Sequence, residues 1–417
     1  MAPVLALALV APWGSEPMTG PDGGPNRTIE GLASTSRQNY TPGWTNVSHG
    51  LGENEVPAAR AGSAGAYFPP YSAWVVFGGV DAQGVTLNDT LMFVTGEGEW
   101  AILDEFWNGT RPSSPPPLTG AALTYDAADG YLLLFGGRLS NGSLTAGTWM
   151  FSGATWNELR WTQGVSTGVS PPSSSVDRMA YDALDGCVIL YTGTGPYPTW
   201  TYRAGVWTPV TNGEQPAVLA QPVLVDDPAL GGVVLLGVPS GASGTPSGND
   251  AWIFRAGAWT SPPDRGAPPT MISPLGVYDV LDGYLLVVGA TGGSGPSGGI
   301  ESTWSLEPTG WTNRSGSSAT APPARAGAVM VEDALDGAVL LYGGGDLATG
   351  AALGDFWAWN LNTTPPDLRT AAFPLSAPVL LVVGVGGVVP PAIAWVYFRR
   401  PPRRQPSDVP APTPAPA

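Results

Sequence analysis

The sequence predicts an all-β fold: a six-bladed β-propeller closed by its N-terminal strand, followed by one C-terminal transmembrane helix. An apolar strand-like segment recurs six times, a short aromatic segment follows each copy, and a 22-residue uncharged apolar stretch comes near the C-terminus. The predicted parts are a signal peptide over residues 1–20, a linker over 21–35, the propeller over 36–362, a Pro-rich stalk over 363–376, the membrane helix over 377–398 and a cytoplasmic tail over 399–417.

The composition is that of a folded protein despite its glycine and proline content. Gly 58 and Pro 45 make up about a quarter of the 417 residues, a share that often marks disorder. However, 43% of the residues are hydrophobic, 17 are Trp and only 12% are charged, whereas disordered chains are poor in aromatics and rich in charge. Gly and Pro are therefore expected at turns and in connections.

The first repeated segment is an apolar strand that ends at one or two glycines. Apolar runs of four to six residues bounded by Gly, Pro, Asn and Asp are typical of strands. Four copies are evident and two are weaker: YDAADGYLLLFGG from Tyr125, YDALDGCVILYTG from Tyr181, YDVLDGYLLVVGA from Tyr278, VEDALDGAVLLYGGG from Val331, PPYSAWVVFGG from Pro69 and VDDPALGGVVLLGV from Val225.

The second repeated segment is aromatic, and in five of the six copies a further Trp follows it. The segments start at Thr90, Thr148, Thr199, Ala251, Thr303 and Phe356, and the further Trp residues are Trp100, Trp156, Trp207, Trp259 and Trp311. Trp44 in WTNVS matches Trp311 in WTNRS, so the N-terminal strand is predicted to complete the sixth unit. Four strands in each repeat of about 53 residues fit one propeller blade.

The order of these residues resembles the kelch repeat over roughly residues 36–362. Tyr-Asp, a strand ending in Gly-Gly, Thr-Trp, Trp and Pro-Pro-x-Arg follow one another, and Asn88-Asp89-Thr90 and Asn249-Asp250-Ala251-Trp252 match the motif closely. The resemblance implies a propeller, also found in the central domain of galactose oxidase. It implies little about function, because propellers host unrelated activities.

Two repeated features have a structural explanation and a functional alternative. The Asp-x-x-Asp-Gly turns, with Asp126 and Asp182 among their first residues, are predicted to bond their own backbone; clustered carboxylates also suit calcium. The periodic Trp residues are predicted to pack between blades; sugar stacking is the alternative. Trp13, Trp74, Trp107 and Trp161 fall outside the periodic positions and are expected to be freer, with Trp107 as the candidate ligand-binding Trp.

Arg60, Arg178 and Arg325 are the candidate ligand-binding cations. Each follows a Pro-rich segment at the start of a blade, which predicts that the three converge near the axis. Converging guanidinium groups could hold a carboxylate such as that of an acidic sugar; inter-blade ion pairs are the alternative.

The charge and cysteine content exclude several functional classes. The net charge is −16 and every basic residue is Arg, so a nucleic-acid partner is not expected. Cys187 and His49 are the only residues of their kinds, so neither a disulfide nor a Cys/His metal site can form within the chain. We predict no catalytic residue, no metal and no cofactor.

Residues 377–398 fit the thickness of a bilayer, with Arg399, Arg400, Arg403 and Arg404 directly after them. Positive charge marks the cytoplasmic side, so the propeller is predicted to lie outside the cell and the C-terminus inside. Eight Asn-x-Ser/Thr sequons precede the helix and are candidate glycosylation sites: Asn26, Asn39, Asn46, Asn88, Asn108, Asn141, Asn313 and Asn362.

Long Gly-, Ser- and Pro-rich connections are predicted to lie on one face of the propeller, where binding residues tend to be found. The sequence therefore favours a surface-displayed, non-catalytic binding module whose partner is an extracellular protein or carbohydrate. The alternatives are a glycan-active, sialidase-like enzyme and a structural protein of the cell envelope.

Overall fold

The computed structural model describes residues 43–48, 57–94, 99–103, 113–153, 159–164, 168–239, 250–261, 270–291, 300–316, 321–333 and 337–360. The predicted signal peptide, linker, stalk, membrane helix and tail lie outside these ranges. None of the helical segments among the described residues has the length and hydropathy that a bilayer crossing requires.

Six antiparallel sheets form the six blades, and short strands extend three of them. The strands are as follows. The N-terminal strand is β1 (Gly43–Asn46). Blade one contains β2 (Arg60–Ala61), β3 (Ala64–Phe68), β4 (Ala73–Asp81), β5 (Thr86–Val94) and β6 (Glu99–Ile102), with a 3-10 turn at Pro69–Tyr71. Blade two contains β7 (Leu118–Thr119), β8 (Ala122–Asp126), β9 (Tyr131–Phe135), β10 (Arg138–Leu139), β11 (Thr148–Ser152) and β12 (Arg160–Gln163). Blade three contains β13 (Arg178–Asp182), β14 (Cys187–Tyr191), β15 (Thr199–Arg203) and β16 (Val206–Pro209). Blade four contains β17 (Leu219–Asp227), β18 (Gly232–Pro239), β19 (Asp250–Arg255) and β20 (Ala258–Thr260). Blade five contains β21 (Ile272–Asp279), β22 (Tyr284–Thr291), β23 (Ile300–Glu307) and β24 (Gly310–Asn313). Blade six contains β25 (Arg325–Ala326), β26 (Val329–Asp333), β27 (Ala338–Tyr342), β28 (Gly345–Asp346) and β29 (Phe356–Asn360).

The N-terminal strand closes the propeller, as the sequence predicts. β1 pairs antiparallel with β29, and the register places Gly43 opposite Asn360 and Trp44 opposite Trp359. The innermost strands β3, β8, β13, β17, β21 and β26 each contact the next around the axis, and β26 contacts β3. Closure in this way pairs the third strand of blade six with an outer strand and completes the ring of blades.

The core is divided among the interfaces between adjacent blades. Among the described residues, six apolar clusters each join two neighbouring blades. In β9, Leu132 and Leu134 pack towards blade one, whereas Leu133 and Phe135 pack towards blade three. The second strand of a blade is therefore apolar at every position, because both of its faces are buried.

The outer-strand Trp of blade two is Trp161, so the prediction that Trp156 occupies this position was wrong. Trp161 lies opposite Phe151 in the pairing that places Trp207 opposite Tyr202 in blade three. Trp161 is 1% exposed and Trp74 is fully buried, so the expectation that both were freer is also wrong. The connection from β11 to β12 has more residues than that from β15 to β16, which displaces the outer-strand Trp, and Trp156 itself lies outside the described residues.

A hydrogen bond links most outer-strand Trp residues to the preceding blade. The indole Nε1 of Trp161, Trp207 and Trp259 donates to the hydroxyl of Thr90, Thr148 and Thr199 respectively, at 2.9–3.1 Å. Trp44 donates likewise to Thr303 at 2.9 Å. The repeated Thr of the third strand is thus the acceptor for the next blade.

The Asp-x-x-Asp-Gly turns form as the turn interpretation predicts. In blade three, Oδ1 of Asp182 accepts from the N–H groups of Leu184 and Asp185, and its carbonyl accepts from Gly186. Gly186 has φ +62°, a conformation that glycine adopts without strain. The corresponding turns after Asp126 and Asp279 have the same bonds.

Candidate functional site

Arg60 is held in an ion pair inside its own blade. Its guanidinium binds both oxygens of Asp89 at 2.8 and 2.9 Å and also donates to the carbonyl oxygens of Gly78 and Ala58. Arg60 is 3% exposed, so these bonds form away from bulk water. A bidentate pair of this kind positions the start of the blade against its third strand, β5.

Arg325 repeats this arrangement in blade six. Its guanidinium binds both oxygens of Asp355 at 2.7 and 2.8 Å and donates to the carbonyls of Gly343 and Pro323. Burial raises the pKa of Asp355, but the hydrogen bonds and charge of Arg325 outweigh that effect and hold the pKa below its ordinary value. Arg60 and Arg325 thus occupy equivalent positions in their blades, and their partners are equivalent too.

Arg178 occupies a different position, so the predicted equivalence of the three arginines is wrong. Arg178 pairs with Tyr191, directly before the residue that replaces the first glycine of the pair. Its counterparts are Ala64, Ala122, Val223, Leu275 and Val329. Arg60 and Arg325 precede this position by four residues. In blade three that place belongs to Ser174, whose hydroxyl donates to the carbonyl of Thr192.

A cavity of about 250 Å³ lies where the inner strands begin, and residues from all six blades line it. Each inner strand starts and each second strand ends at this face, so the connections between blades and those between second and third strands lie there too. We call it the connection face. Blades six, one and two contribute small residues to the cavity, including Gly62, Gly120 and Gly327, whereas blades three to five contribute Arg178, Gln221 and Ser273.

Two carbonyl groups orient Arg178 at the cavity wall. Nε donates to the carbonyl of Pro222 and Nη1 to that of Asp177, both at 2.8 Å. Nη2 has no hydrogen-bond partner among the described residues. Burial lowers the pKa of Arg178 and the neighbouring Asp177 opposes this effect, but an arginine remains charged.

Asp177 is a buried carboxyl group beside Arg178. It is 1% exposed, and neither carboxylate oxygen has a well-formed hydrogen bond within the described structure, although the backbone of Ser174 lies near enough to favour the charged form. Burial raises the pKa of Asp177 to about 7, against the opposing effects of Ser174 and Arg178. The sequence analysis did not identify this residue.

Gln221 and Ser273 hold the same unusual backbone conformation at the cavity rim. Their φ values are +51° and +50°, and the equivalent residues Gly62, Gly120 and Gly327 have φ between +64° and +70°. The backbone N–H of Ser273 donates to Oε1 of Gln221, which links blades four and five. The amide nitrogen of Gln221 and the hydroxyl of Ser273 have no partner among the described residues.

The glycines of the other three blades are bonded to one another around the axis. The N–H of Gly62 donates to the carbonyl of Gly327, and the N–H of Gly120 donates to the carbonyl of Gly62, both at 2.7 Å. A Cβ at Gly327 would lie 2.9 Å from the nitrogen of Gly62, so a side chain there would collide with the adjacent blade. The free donors at the cavity therefore come from blades three to five.

The opposite end of the inner strands carries acidic residues that the sequence analysis also missed. Oε1 of Glu332 accepts from the N–H of Val280 at 2.9 Å, and the corresponding backbone of Ala183 lies near enough to Asp226 to favour its charged form. Burial raises the pKa of Asp226 to about 7, with a further contribution from Asp182. Among the described residues, no group of three or more His, Cys, Asp or Glu is arranged to hold a metal ion.

Four sequons fall within the described residues, and three of them form the same local turn. The side-chain oxygen of Asn46, Asn141 and Asn313 accepts from the N–H of the Ser two residues later, at 2.9–3.0 Å. In two of these turns the Ser also holds the third strand: the N–H groups of Phe356 and Thr303 donate to Ser48 and Ser315. Part of the sequon enrichment thus has a structural cause.

The fourth described sequon, at Asn88, also contains structural residues. Its Asp89 binds Arg60, and its Thr90 accepts the hydrogen bond from Trp161. Asn141 and Asn313 are exposed, whereas Asn46 and Asn88 are partly buried. Trp107, Asn26, Asn39, Asn108 and Asn362 lie outside the described residues.

Comparison with known proteins supports the fold. No protein-family model matches the chain. Multiple epidermal growth factor-like domains protein 8 of Rattus norvegicus is 33% identical over 135 residues, which are 32% of this chain and 4% of that protein. The protein of the same name from Homo sapiens is 30% identical over 164 residues, 39% of this chain and 5% of that protein. The chain thus spans a small part of the curated relatives it matches.

Two solved structures are similar in fold at low sequence identity. The structure of YjhT superposes with a TM-score of 0.51 and 16% identity, covering 73% of this chain and 95% of that chain. XC5397 from Xanthomonas campestris, described as a gluconolactonase, gives a TM-score of 0.43 and 14% identity over 77% of this chain and 95% of its own. The likeness to YjhT concerns the fold alone.

Proposed function

We propose that the chain is a surface-displayed, non-catalytic binding module of the kelch type that recognises an extracellular protein or glycan through its connection face. In this proposal the propeller lies outside the cell, residues 377–398 anchor it in the membrane, and the C-terminus is cytoplasmic. The names of the curated relatives describe proteins built from several domains, and a segment shared with such proteins supports an interaction role.

The cavity on the connection face is the observation that carries the proposal. Arg178, Gln221 and Ser273 present donors there that no described residue uses. Exposed apolar side chains lie in the same blades and on the same face, as the topology places Val169, Tyr197, Val218 and Ile272 in connections or at strand starts. A polar cavity beside exposed apolar residues is typical of a binding surface.

The sialidase-like alternative is not favoured. It needs a set of arginines around one substrate carboxylate together with a Tyr nucleophile and an acid. Arg60 and Arg325 instead bind Asp89 and Asp355, which leaves Arg178 as the cavity-lining arginine of the described structure. No observation specifically supports a structural role in the cell envelope.

The proposal is tested with the full chain in lipid nanodiscs, applied to a glycan array and to a panel of cell-surface proteins. Val218→Asp places a charge on the connection face at a side chain that is 50% exposed, and we expect it to weaken binding at least tenfold. Leu184→Asp is the matched control, since Leu184 is 68% exposed in a turn on the opposite face. Equal binding by the two variants would place the partner elsewhere and contradict the proposal.

A further inference from the structure

The backbone of blades four and five holds polar side chains where other blades have glycine. Gln221 and Ser273 have φ near +50° and precede Pro222 and Pro274, whereas Gly62, Gly120 and Gly327 occupy the equivalent places. A non-glycine residue in this region is strained, and such strain is found preferentially at ligand sites. Glycine would satisfy the backbone at these two positions. The Gln221 side chain links blades four and five through the bond from the Ser273 N–H, but its amide nitrogen and the hydroxyl of Ser273 have no partner among the described residues.

Both side chains lie on the rim of the cavity that Arg178 also lines. Each of the three offers at least one donor without a partner in the described structure: Nη2 of Arg178, the amide nitrogen of Gln221 and the hydroxyl of Ser273. The carbonyls of Pro222 and Asp177 fix the guanidinium, and the bond from the N–H of Ser273 fixes the amide of Gln221. The donors are therefore positioned before any ligand arrives.

We infer that this cavity binds a single carboxylate group of a small ligand, with Arg178 as its charged partner and Gln221 and Ser273 as additional donors. The inference rests on the proposed binding role of the connection face and names the chemistry that this face recognises. The donors call for an acceptor, and one guanidinium matches one negative charge. Asp177 also lines the cavity, but burial raises its pKa to about 7, so below that pH its carboxyl group is neutral and Arg178 is the charge that the ligand meets.

The size and charge of the site narrow the ligand further. A cavity of about 250 Å³ falls below the range of roughly 300–1,000 Å³ that drug-sized ligands occupy, so the group it takes is about the size of a monosaccharide or an amino acid. A phosphate would bring a second charge to a chain of net charge −16 with one cation at the site. The small residues of blades six, one and two leave room for the apolar part of the ligand.

The first test measures binding of D-glucuronate to the full chain in nanodiscs by calorimetry. Glucose serves as the control of the same ring without the carboxylate, and inorganic phosphate as the competing anion. We expect saturable binding of glucuronate at least tenfold tighter than that of glucose or phosphate. Equal affinity for glucose, or no saturation by glucuronate, would overturn the inference.

The second test separates binding from folding by substitution. Arg178→Met should weaken glucuronate binding about 10- to 100-fold, because a hydrogen bond to a charged group is lost, whereas Arg160→Met removes an exposed arginine elsewhere and should not. Ser273→Gly and Gln221→Gly introduce the glycine that blades six, one and two have at this position. Each should weaken binding about two- to tenfold. Ser273→Gly should leave Tm unchanged or higher, whereas Gln221→Gly also removes the acceptor of the Ser273 N–H, a loss that Tm reports separately from binding.

The glycine variants keep the test decisive if Arg178→Met fails to fold. Unchanged affinity in both glycine variants, or in a folded Arg178→Met variant, would contradict the assignment of these residues. If glucuronate does not bind but the chain still binds a partner through its connection face, only the carboxylate inference fails. If glucuronate binds but Val218→Asp leaves partner binding intact, only the proposed function fails.

Discussion

Blades six, one and two differ from blades three, four and five in the way they meet at the axis. The first group has paired glycines, short extra strands, and backbone hydrogen bonds from blade to blade through Gly62, Gly120 and Gly327. In the second group each glycine pair is incomplete: Thr192 precedes the glycine of blade three, whereas Gly237 and Gly289 are followed by Val and Ala. In addition, β-bulges interrupt β17 and β21. The regular half closes the ring, whereas the irregular half supplies the cavity with functional groups.

The largest expected difference between the halves concerns the ion pair between Arg60 and Asp89. Arg60→Ala leaves Asp89 without its partner, and breaking such a pair typically costs about 3–5 kcal/mol. Ser174→Ala, at the equivalent place in blade three, removes two neutral hydrogen bonds, one to the carbonyl of Thr192 and one from the N–H of Val176, and should cost about 1–2 kcal/mol. Urea unfolding of the two variants measures the contrast. Similar losses would show that blade three depends on its own contact as strongly as blade one does.

The next largest effect concerns the first glycine of the pair. A Cβ at Gly78 would lie 2.5 Å from the carbonyl oxygen of Leu118, in a backbone with φ +64°. Gly84 has φ +80° but open space around it, so Gly84→Ala reports the backbone strain alone. We expect Gly78→Ala to cost about 3 kcal/mol and Gly84→Ala about 1 kcal/mol, measured by thermal unfolding. Equal costs would mean that the blades do not need close approach at this point.

A pH dependence of stability should originate mainly in the irregular half. The pKa values of Asp177 and Asp226 are about 7 in the folded chain, above the value of about 3.9 in an unfolded chain. The folded state therefore binds more protons than the unfolded chain between these values. The contribution of the two groups to the free energy of unfolding is highest below about pH 4 and declines as the pH rises through 7.

Asp177→Asn should remove part of this decline and raise stability at pH 8 by about 1–2 kcal/mol, with little change at pH 4. Thermal unfolding across this pH range provides the measurement, and Glu214→Gln, at an exposed acid, is the control. A gain of the same size at both pH values would assign the effect to packing rather than to titration.

The smallest expected effect concerns the bond between Trp and Thr that both halves share. Thr199→Val keeps the shape but removes the acceptor for Nε1 of Trp259, which should cost about 1 kcal/mol in urea unfolding. Thr201→Val is the control, since its hydroxyl bonds only weakly to the carbonyl of Thr208 within the same blade. A negligible loss at Thr199 would show that indole burial alone maintains the interface.

The sequence predicted the fold well because the repeated residues perform repeated structural tasks. The Gly pair, the Thr-Trp segment and the Asp turns each form one kind of contact in several blades, so their spacing indicated the blades and the strand that closes them. Trp161 was misplaced because an insertion ahead of it shifted the period by five residues relative to Trp156.

The site was less predictable because it depends on departures from the repeat. Arg178 was a candidate from sequence, but its grouping with Arg60 and Arg325 rested on similar preceding prolines, and strand register separates them by four residues. Gln221 and Ser273 carry no motif. Their signal is the Pro that follows each, and it is informative only once they are aligned with glycines of known positive φ.

Because β1 pairs with β29, the two ends of the propeller lie side by side, and the chain could start in a different blade without changing the fold. Gly43 lies opposite Asn360, so a short linker could join these residues and new termini could open in another connection, such as the turn at residues 82–85. A circular permutant made in this way would retain every blade interface. Its start and end would also lie on the connection face, so that a fused reporter could respond to whatever binds there.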